Sequence, residues 1–226
     1  MNINDIKWVD TVLVPLTTLG EQNKSISGVI SVGEPFACNA VKLANIGGPT
    51  LDPEIQLMLD KFLFVYVRIP ISIRGKEFDV RFVGLDIDLG AEANQINCWS
   101  MQPLRVEQEI KVKTTSGINS KIDLKLIGIG GQESASGEVV VYQPTITAFG
   151  IGEAVPGWEF TPTEGRELNG VQLLHLVVKM RKGLHSKAKI KMKADLYRDG
   201  LLWNYCVLSR NNEETVQQVE LPGFLA

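Results

Sequence analysis

The alternation of apolar and polar positions is sharpest between Lys61 and Gly90. Leu63, Val65, Val67, Ile69, Ile71 and Ile73 are all aliphatic and all at odd positions. Successive side chains of a strand point to opposite faces, so these six share one side. The even positions run Phe62, Phe64, Tyr66, Arg68, Pro70 and Ser72, aromatic at first and polar later. This predicts a long strand buried on one face throughout and on both faces only at its start. Pro70 lacks a ladder donor, which places the late part of the strand at a sheet edge or a bulge. Arg74-Gly75-Lys76-Glu77 reads as a turn. Phe78, Val80 and Phe82 then begin a returning strand, and the apolar parity moves to Leu85, Ile87 and Leu89. That shift predicts a β-bulge at Val83-Gly84, and the whole segment reads as a β-hairpin.

The same shape recurs later. Leu174, Leu176, Val178 and Met180 share one face, a turn runs from Arg181 to Ser186, and Ala188, Ile190, Met192, Ala194 and Leu196 share the next. Weaker strands are expected at Val12–Leu16, Ile26–Val32, Phe36–Leu43, around Ile96 and Cys98, at Val106–Val112, at Ile122–Ile129, from Val139, around Trp203–Leu208 and at Val216–Val219. Trp158 and Phe160, after the Pro156-Gly157 turn, are expected against the core. Asp52-Pro53-Glu54 is the one good helix start, with a capping carboxylate, a proline suited to the first turn and an acid at the positive end of the dipole. It predicts one short helix near 52–62. Gly130 to Gly137, rich in glycine and serine, reads as a linker.

The two halves can be superposed with gaps. Val32-Gly33-Glu34 matches Ile151-Gly152-Glu153, the pattern at 63–90 matches 174–200, and Val106-Glu107-Gln108-Glu109 matches Val216-Gln217-Gln218-Val219, in the same order. The fold class is therefore all-β: antiparallel sandwich material in two similar Ig-like or jelly-roll-like units, 1–130 and 138–226. The units are either an internal duplication in tandem or parts fused into one globule, and a single sandwich spanning the chain is the alternative.

Composition narrows the function. The chain has 226 residues, 44% hydrophobic and 22% charged, ordinary for a globular protein with a sizeable core. No apolar run is long enough for a membrane helix, and the first residues lack the basic and apolar segments of a signal peptide. The three cysteines, Cys38, Cys98 and Cys206, are odd in number and widely spaced, with no CxxC. They read as free thiols in a reducing, cytoplasmic setting. No GxSxG, HExxH or phosphate-binding glycine loop occurs, and Gly128-Ile129-Gly130-Gly131 is not followed by a helix. His175 falls on the outward face of a strand and His185 in a turn. Asp86 and Asp88, with Glu92 nearby, could offer oxygen ligands to a cation, but without EF-hand spacing they read as a solvated face. No cofactor or metal is expected.

The net charge of −3 hides a segregation. Lys179, Arg181, Lys182, Lys187, Lys189, Lys191 and Lys193 put seven basic and no acidic residues between 179 and 193, against 16 basic and 26 acidic in the rest of the chain. The last four lysines form one file along a strand. Such a file guards an edge strand against unwanted pairing, docks onto an acidic surface of a neighbouring copy, or binds a polyanion. Interleaved aromatics, expected of a single-strand nucleic-acid binder, are absent from the file. The reading that follows is a non-enzymatic structural or protein-interaction subunit of a larger assembly, coat-, tail- or filament-like, with a homo-oligomer or other protein subunits as partners and no membrane. The alternatives are a polyanion-binding accessory protein that uses the lysine file, and an enzyme with a site assembled from scattered carboxylates.

Overall fold

A computed structural model describes residues 6–15, 26–45, 52–75, 78–90, 94–113, 131–133, 138–163, 168–198, 201–207 and 217–221. Among these residues the first strands are β1 (Trp8–Pro15), β2 (Ile26–Gly33) and β3 (Phe36–Asn39), followed by helices α1 (Ala40–Asn45) and α2 (Pro53–Met58). Then come β4 (Phe62–Ile73), β5 (Asp79–Asp88), β6 (Ile96–Gln102), β7 (Arg105–Lys113), β8 (Gly131–Glu133) and β9 (Glu138–Phe149). The last are β10 (Gly157–Phe160), β11 (Gly170–Arg181), β12 (Ser186–Arg198), β13 (Leu201–Val207) and β14 (Gln217–Leu221). The expected strand at Ile122–Ile129 lies outside the described residues.

Hydrogen-bonded neighbours follow the path β6-β11-β4-β2-β1-β13-β12-β5-β10-β9-β7, with β14 added to β12, β3 to β4 and β8 to β9. The ladders among the described residues are antiparallel. Val65, Val67, Ile69 and Ile71 of β4, Leu174 and Leu176 of β11, Leu85 and Ile87 of β5, Trp158 of β10 and Ile190 of β12 belong to one buried apolar cluster. The path therefore turns back on itself, and β6-β11-β4-β2 faces β12-β5-β10 across a shared core. This is an all-β antiparallel sandwich. Strands from before residue 130 and after 138 alternate in it, since β11 lies between β4 and β6, β12 beside β5, and β13 beside β1.

The core follows the alternation closely. Val65, Val67, Ile69, Ile71 and Ile73 are buried, as are Leu174, Leu176, Val178 and Met180, and Ala188, Ile190, Met192, Ala194 and Leu196. Trp158 and Phe160 are buried too, and the Trp158 indole donates to the Pro103 carbonyl at 2.9 Å.

The pairing differs from the sequence expectation. Among the described residues β4 and β5 are not neighbours in the sheet. Instead β4 pairs with β11 over twelve residue pairs, and β5 pairs with β12. Each presumed hairpin is a crossing from one layer to the other, because alternation specifies which face is buried and not which strand lies alongside. Nor is Pro70 at an edge. On one side it faces Leu173 of β11; on the other it falls between the stretch paired with β2 and the stretch paired with β3. Gly33 passes close to this gap: a Cβ there would lie 2.5 Å from Ile6 and 2.9 Å from Pro70. Pro70 and Ser72 are buried, so the late part of β4 is covered on both faces. The bulge on β5 is at Arg81 rather than Val83-Gly84: Val80 opposes Leu196 and Phe82 opposes Asp195, which leaves Arg81 extra and exposed.

Two local expectations also change. The strand expected at Phe36–Leu43 stops at Asn39, whose side chain accepts from Lys42 N at 3.0 Å and starts α1. Gly131–Glu133, within the expected linker, pairs with β9. The Asp52 start holds: its carboxylate accepts from Glu54 N at 2.9 Å, and α2 ends at Met58.

The β9–β10 turn finishes the sandwich. Gly152 N donates to Cys98 O at 2.8 Å, Cys98 N to Glu153 O at 3.0 Å, and Leu89 N to Ala154 O at 3.0 Å. The turn thus covers the free side of β6 and ties it to the end of β5, where an open row of donors and acceptors would otherwise invite pairing. As a check on the core, Val67, 2% exposed, should lose about 1–3 kcal/mol of stability on Val67→Ala through transfer and cavity terms. An unchanged denaturant midpoint would contradict its placement.

Candidate functional site

The outer face of the β3-β4-β11-β6 sheet carries the polar and aromatic positions of those strands. Register sets them in rows. Phe36, Arg68, His175 and Gln102 lie opposite one another across the four strands, and Cys38, Tyr66, Val177 and Ser100 form the next row. Phe64, Lys179 and Asn97 form a third. An irregularity between Ser100 and Cys98 leaves Trp99 outside the regular pairing. Its ring packs edge-on against Phe64, with centroids 5.6 Å apart. Helices α1 and α2 cover part of this face: Ala40, Ile55 and Phe64 are buried together, with Met58, Tyr66, Trp99 and Val177 packed around them.

Between helices and sheet lies a cavity of about 440 Å³, within the roughly 300–1,000 Å³ typical of small-molecule sites. Ala40 and Leu43 of α1, Asp52 and Ile55 at α2, Tyr66, the stretch from Trp99 to Gln102, and His175 to Val177 line it. Tyr66 Oη and His175 Nδ1 are 2.5 Å apart. The Arg68 guanidinium sits 5.4 Å over the Phe36 ring, and Lys179 Nζ lies 5.1 Å from the Phe62 ring centroid and 5.3 Å from that of Trp99.

Burial governs the charge state here. It lowers the His175 pKa, and the Arg68 charge lowers it further. Burial raises the Tyr66 phenol, with Arg68 opposing and Cys38 assisting. Burial also raises the Cys38 thiol, again against Arg68. Near neutral pH the imidazole, phenol and thiol are thus all uncharged beside a guanidinium. Cys98, facing the core, is pushed up to about 12 by burial. Cys38 and Cys98 are free thiols.

The basic residues read from the sequence do not form one surface. Lys179 and Arg181 belong to β11, and Lys182 to the turn after it. Lys187, Lys189, Lys191 and Lys193 point outward from β12, in the opposite layer, while Ala188, Ile190 and Met192 between them are buried. β12 is an interior strand, with β5 on one side and β13 and β14 on the other, so the file guards no free edge. Its cross-strand neighbours include acids: Lys189 opposes Asp88, Lys191 opposes Asp86, and Lys191 Nζ is 3.3 Å from Asp88 Oδ2. Lys193 lies across Gly84, with Nζ 5.6 Å from the Phe82 ring centroid. Asp86 and Asp88, weighed as cation ligands, thus face the lysines, and Glu92 lies outside the described residues. Among the described residues no three His, Cys, Asp or Glu side chains are grouped to hold a metal.

The sequence pattern places His175 on an outward strand face but does not show the cavity, because Tyr66, Trp99 and His175 come from three strands and α1 begins inside the segment whose pattern predicts a strand. The even-numbered aromatic run Phe62, Phe64 and Tyr66 was the available signal.

No family model matches the chain, and no curated protein matches its sequence. Among solved structures it is similar to a pore forming protein over 94% of each chain, at 10% identity and a TM-score of 0.35. Clostridium perfringens delta-toxin aligns over 97% of this chain and 89% of its own, at 9% identity and a TM-score of 0.36. The Clostridium perfringens NetB toxin in its membrane inserted form aligns over 95% of this chain and 94% of its own, at 8% identity and a TM-score of 0.29.

Two outcomes are expected. His175 is held neutral in the fold and protonates more readily when unfolded, where its ordinary pKa is 6.5. Its contribution should therefore be intact above that value and lost as pH falls below it. Thermal unfolding at pH values on both sides should show a drop that His175→Gln reduces; equal pH dependence in both proteins would contradict the buried neutral imidazole. Cys98 should resist a maleimide in the native state and react on unfolding, as followed by mass spectrometry of the labelled peptide.

Proposed function

We propose that this chain is a non-enzymatic β-sandwich protein of the structural or protein-interaction kind, working as a subunit of a larger assembly such as a coat, tail or filament. The observation that carries this reading is apolar surface at the β9–β10 turn. Leu104, Ile151 and Val155 are 55%, 51% and 47% exposed. Their segments are joined through the backbone: Ala148 N donates to Leu104 O at 2.8 Å, and the turn folds so tightly that a Cβ on Gly150 would lie 2.8 Å from Val155 O. Large apolar side chains facing water on connected segments are the material of contact surfaces, and another copy of the chain is the partner this reading favours.

The lysine file supports a polyanion-binding role less well. Asp86 and Asp88 stand among the lysines and reduce the positive potential that phosphate binding depends on. A face of mixed sign fits another protein surface better. The reading keeps the reducing, cytoplasmic setting inferred from the odd cysteine count.

Sedimentation velocity tests the proposal. The wild-type coefficient should rise with protein concentration, and Leu104→Asp with Ile151→Asp should remain monomeric with an unchanged unfolding midpoint. A monomeric wild type at all concentrations would overturn it. Salt separates the two surfaces: an apolar contact persists as ionic strength rises, whereas association through the lysine file weakens.

A further inference from the structure

We propose that the cavity between α1, α2 and the β4-β11-β6 face binds a small, planar, largely apolar molecule that carries a carboxylate. The inference is independent of the assembly reading, which rests on other residues, the exposed Leu104, Ile151 and Val155.

Size and walls define the apolar part. About 440 Å³ is room for one fused-ring molecule. Leu43 and Ile55 close it on the helix side, and Val177 on the sheet side. Trp99 lines the cavity and packs edge-on against Phe64, which fixes its ring as a wall.

Chemistry defines the polar end. The Tyr66 phenol keeps its proton, and an uncharged imidazole carries only one. In the tautomer that accepts the phenol proton at Nδ1, across 2.5 Å, the His175 proton resides on Nε2. His175 lines the cavity, and its cross-strand neighbour Gln102 lines it too, adding amide donors. Arg68 lies opposite His175 in the same row, so fixed positive charge flanks this end. Donors backed by positive charge call for an acceptor, best an anionic one. Asp52, on the helix side, is the one acid in the lining, and one of its oxygens already accepts from Glu54 N. A ligand with rings toward Trp99 and Ile55 and its carboxylate toward His175 and Gln102 matches each wall.

Titration calorimetry and saturation-transfer NMR with naphthalene-2-carboxylate and the matched naphthalene-2-methylammonium provide the test. The carboxylate should bind the wild type, with the ammonium compound about tenfold weaker or worse, the scale of one charge-assisted hydrogen bond. His175→Phe keeps the ring volume and removes the donor, and should weaken the carboxylate by a similar factor. Ser100→Trp, at an exposed β6 position on the rim, should abolish binding while the unfolding midpoint stays at the wild-type value. Absence of binding to the wild type at millimolar carboxylate would overturn the proposal, as would equal or tighter binding of the ammonium compound. Undiminished binding by His175→Phe would do the same. The wild-type comparison of the two probes decides the matter even if Ser100→Trp fails to fold. Sedimentation of the wild type with and without the carboxylate keeps this result distinct from the fate of the assembly reading.

Discussion

The β4–β11 ladder is the constraint on which the rest depends. Its twelve residue pairs run from Gly170 opposite Ile73 to Arg181 opposite Phe62. One register serves both faces. Inward, Leu174 meets Ile69 and Leu176 meets Val67, which builds the core; outward, His175 meets Arg68 and Val177 meets Tyr66, which builds the floor of the cavity. A slip of one residue would turn every aliphatic of one strand to the other face and bring charge into the core, so the apolar pattern holds the polar rows in place. The precision of the Tyr66–His175 contact is thus inherited from hydrophobic packing on the opposite side of the same strands.

The two outer faces of the sandwich use charge differently. On the β12 side, Lys189 and Lys191 face Asp88 and Asp86 of β5 at half-buried positions, where opposite charges across a ladder add modest stability and are screened by salt. On the β11 side, helices and aromatic rings cover the sheet, and burial decides which groups ionise. Desolvation is the first cause of the shifts at Cys38, Tyr66 and His175, and the Arg68 charge acts on all three. Arg68 opposes ionisation of the imidazole and favours it for the phenol and thiol, but burial outweighs it at the latter two. The three titratable groups around Arg68 therefore stay uncharged near neutral pH.

Legibility in the sequence divides along the same line. Alternation revealed the buried faces of β4, β11 and β12, the core positions of Trp158 and Phe160, and the Asp52 cap of α2, because each depends on a local pattern of one residue or one turn. The antiparallel all-β class followed from them. Partner choice was not legible: β4 with β11 instead of β5, β12 as an interior strand, and Pro70 in the gap between β2 and β3 are long-range pairings, and alternation is the same whichever strand lies alongside. Register then decided the site. It brought Tyr66, His175 and Gln102 together from three strands, and it set Asp86 and Asp88 among the lysines that the sequence displayed as one uninterrupted file. Side-chain period is a property of a strand alone, whereas neighbourhood belongs to the sheet, so the sequence determined what is buried and the tertiary structure decided what meets.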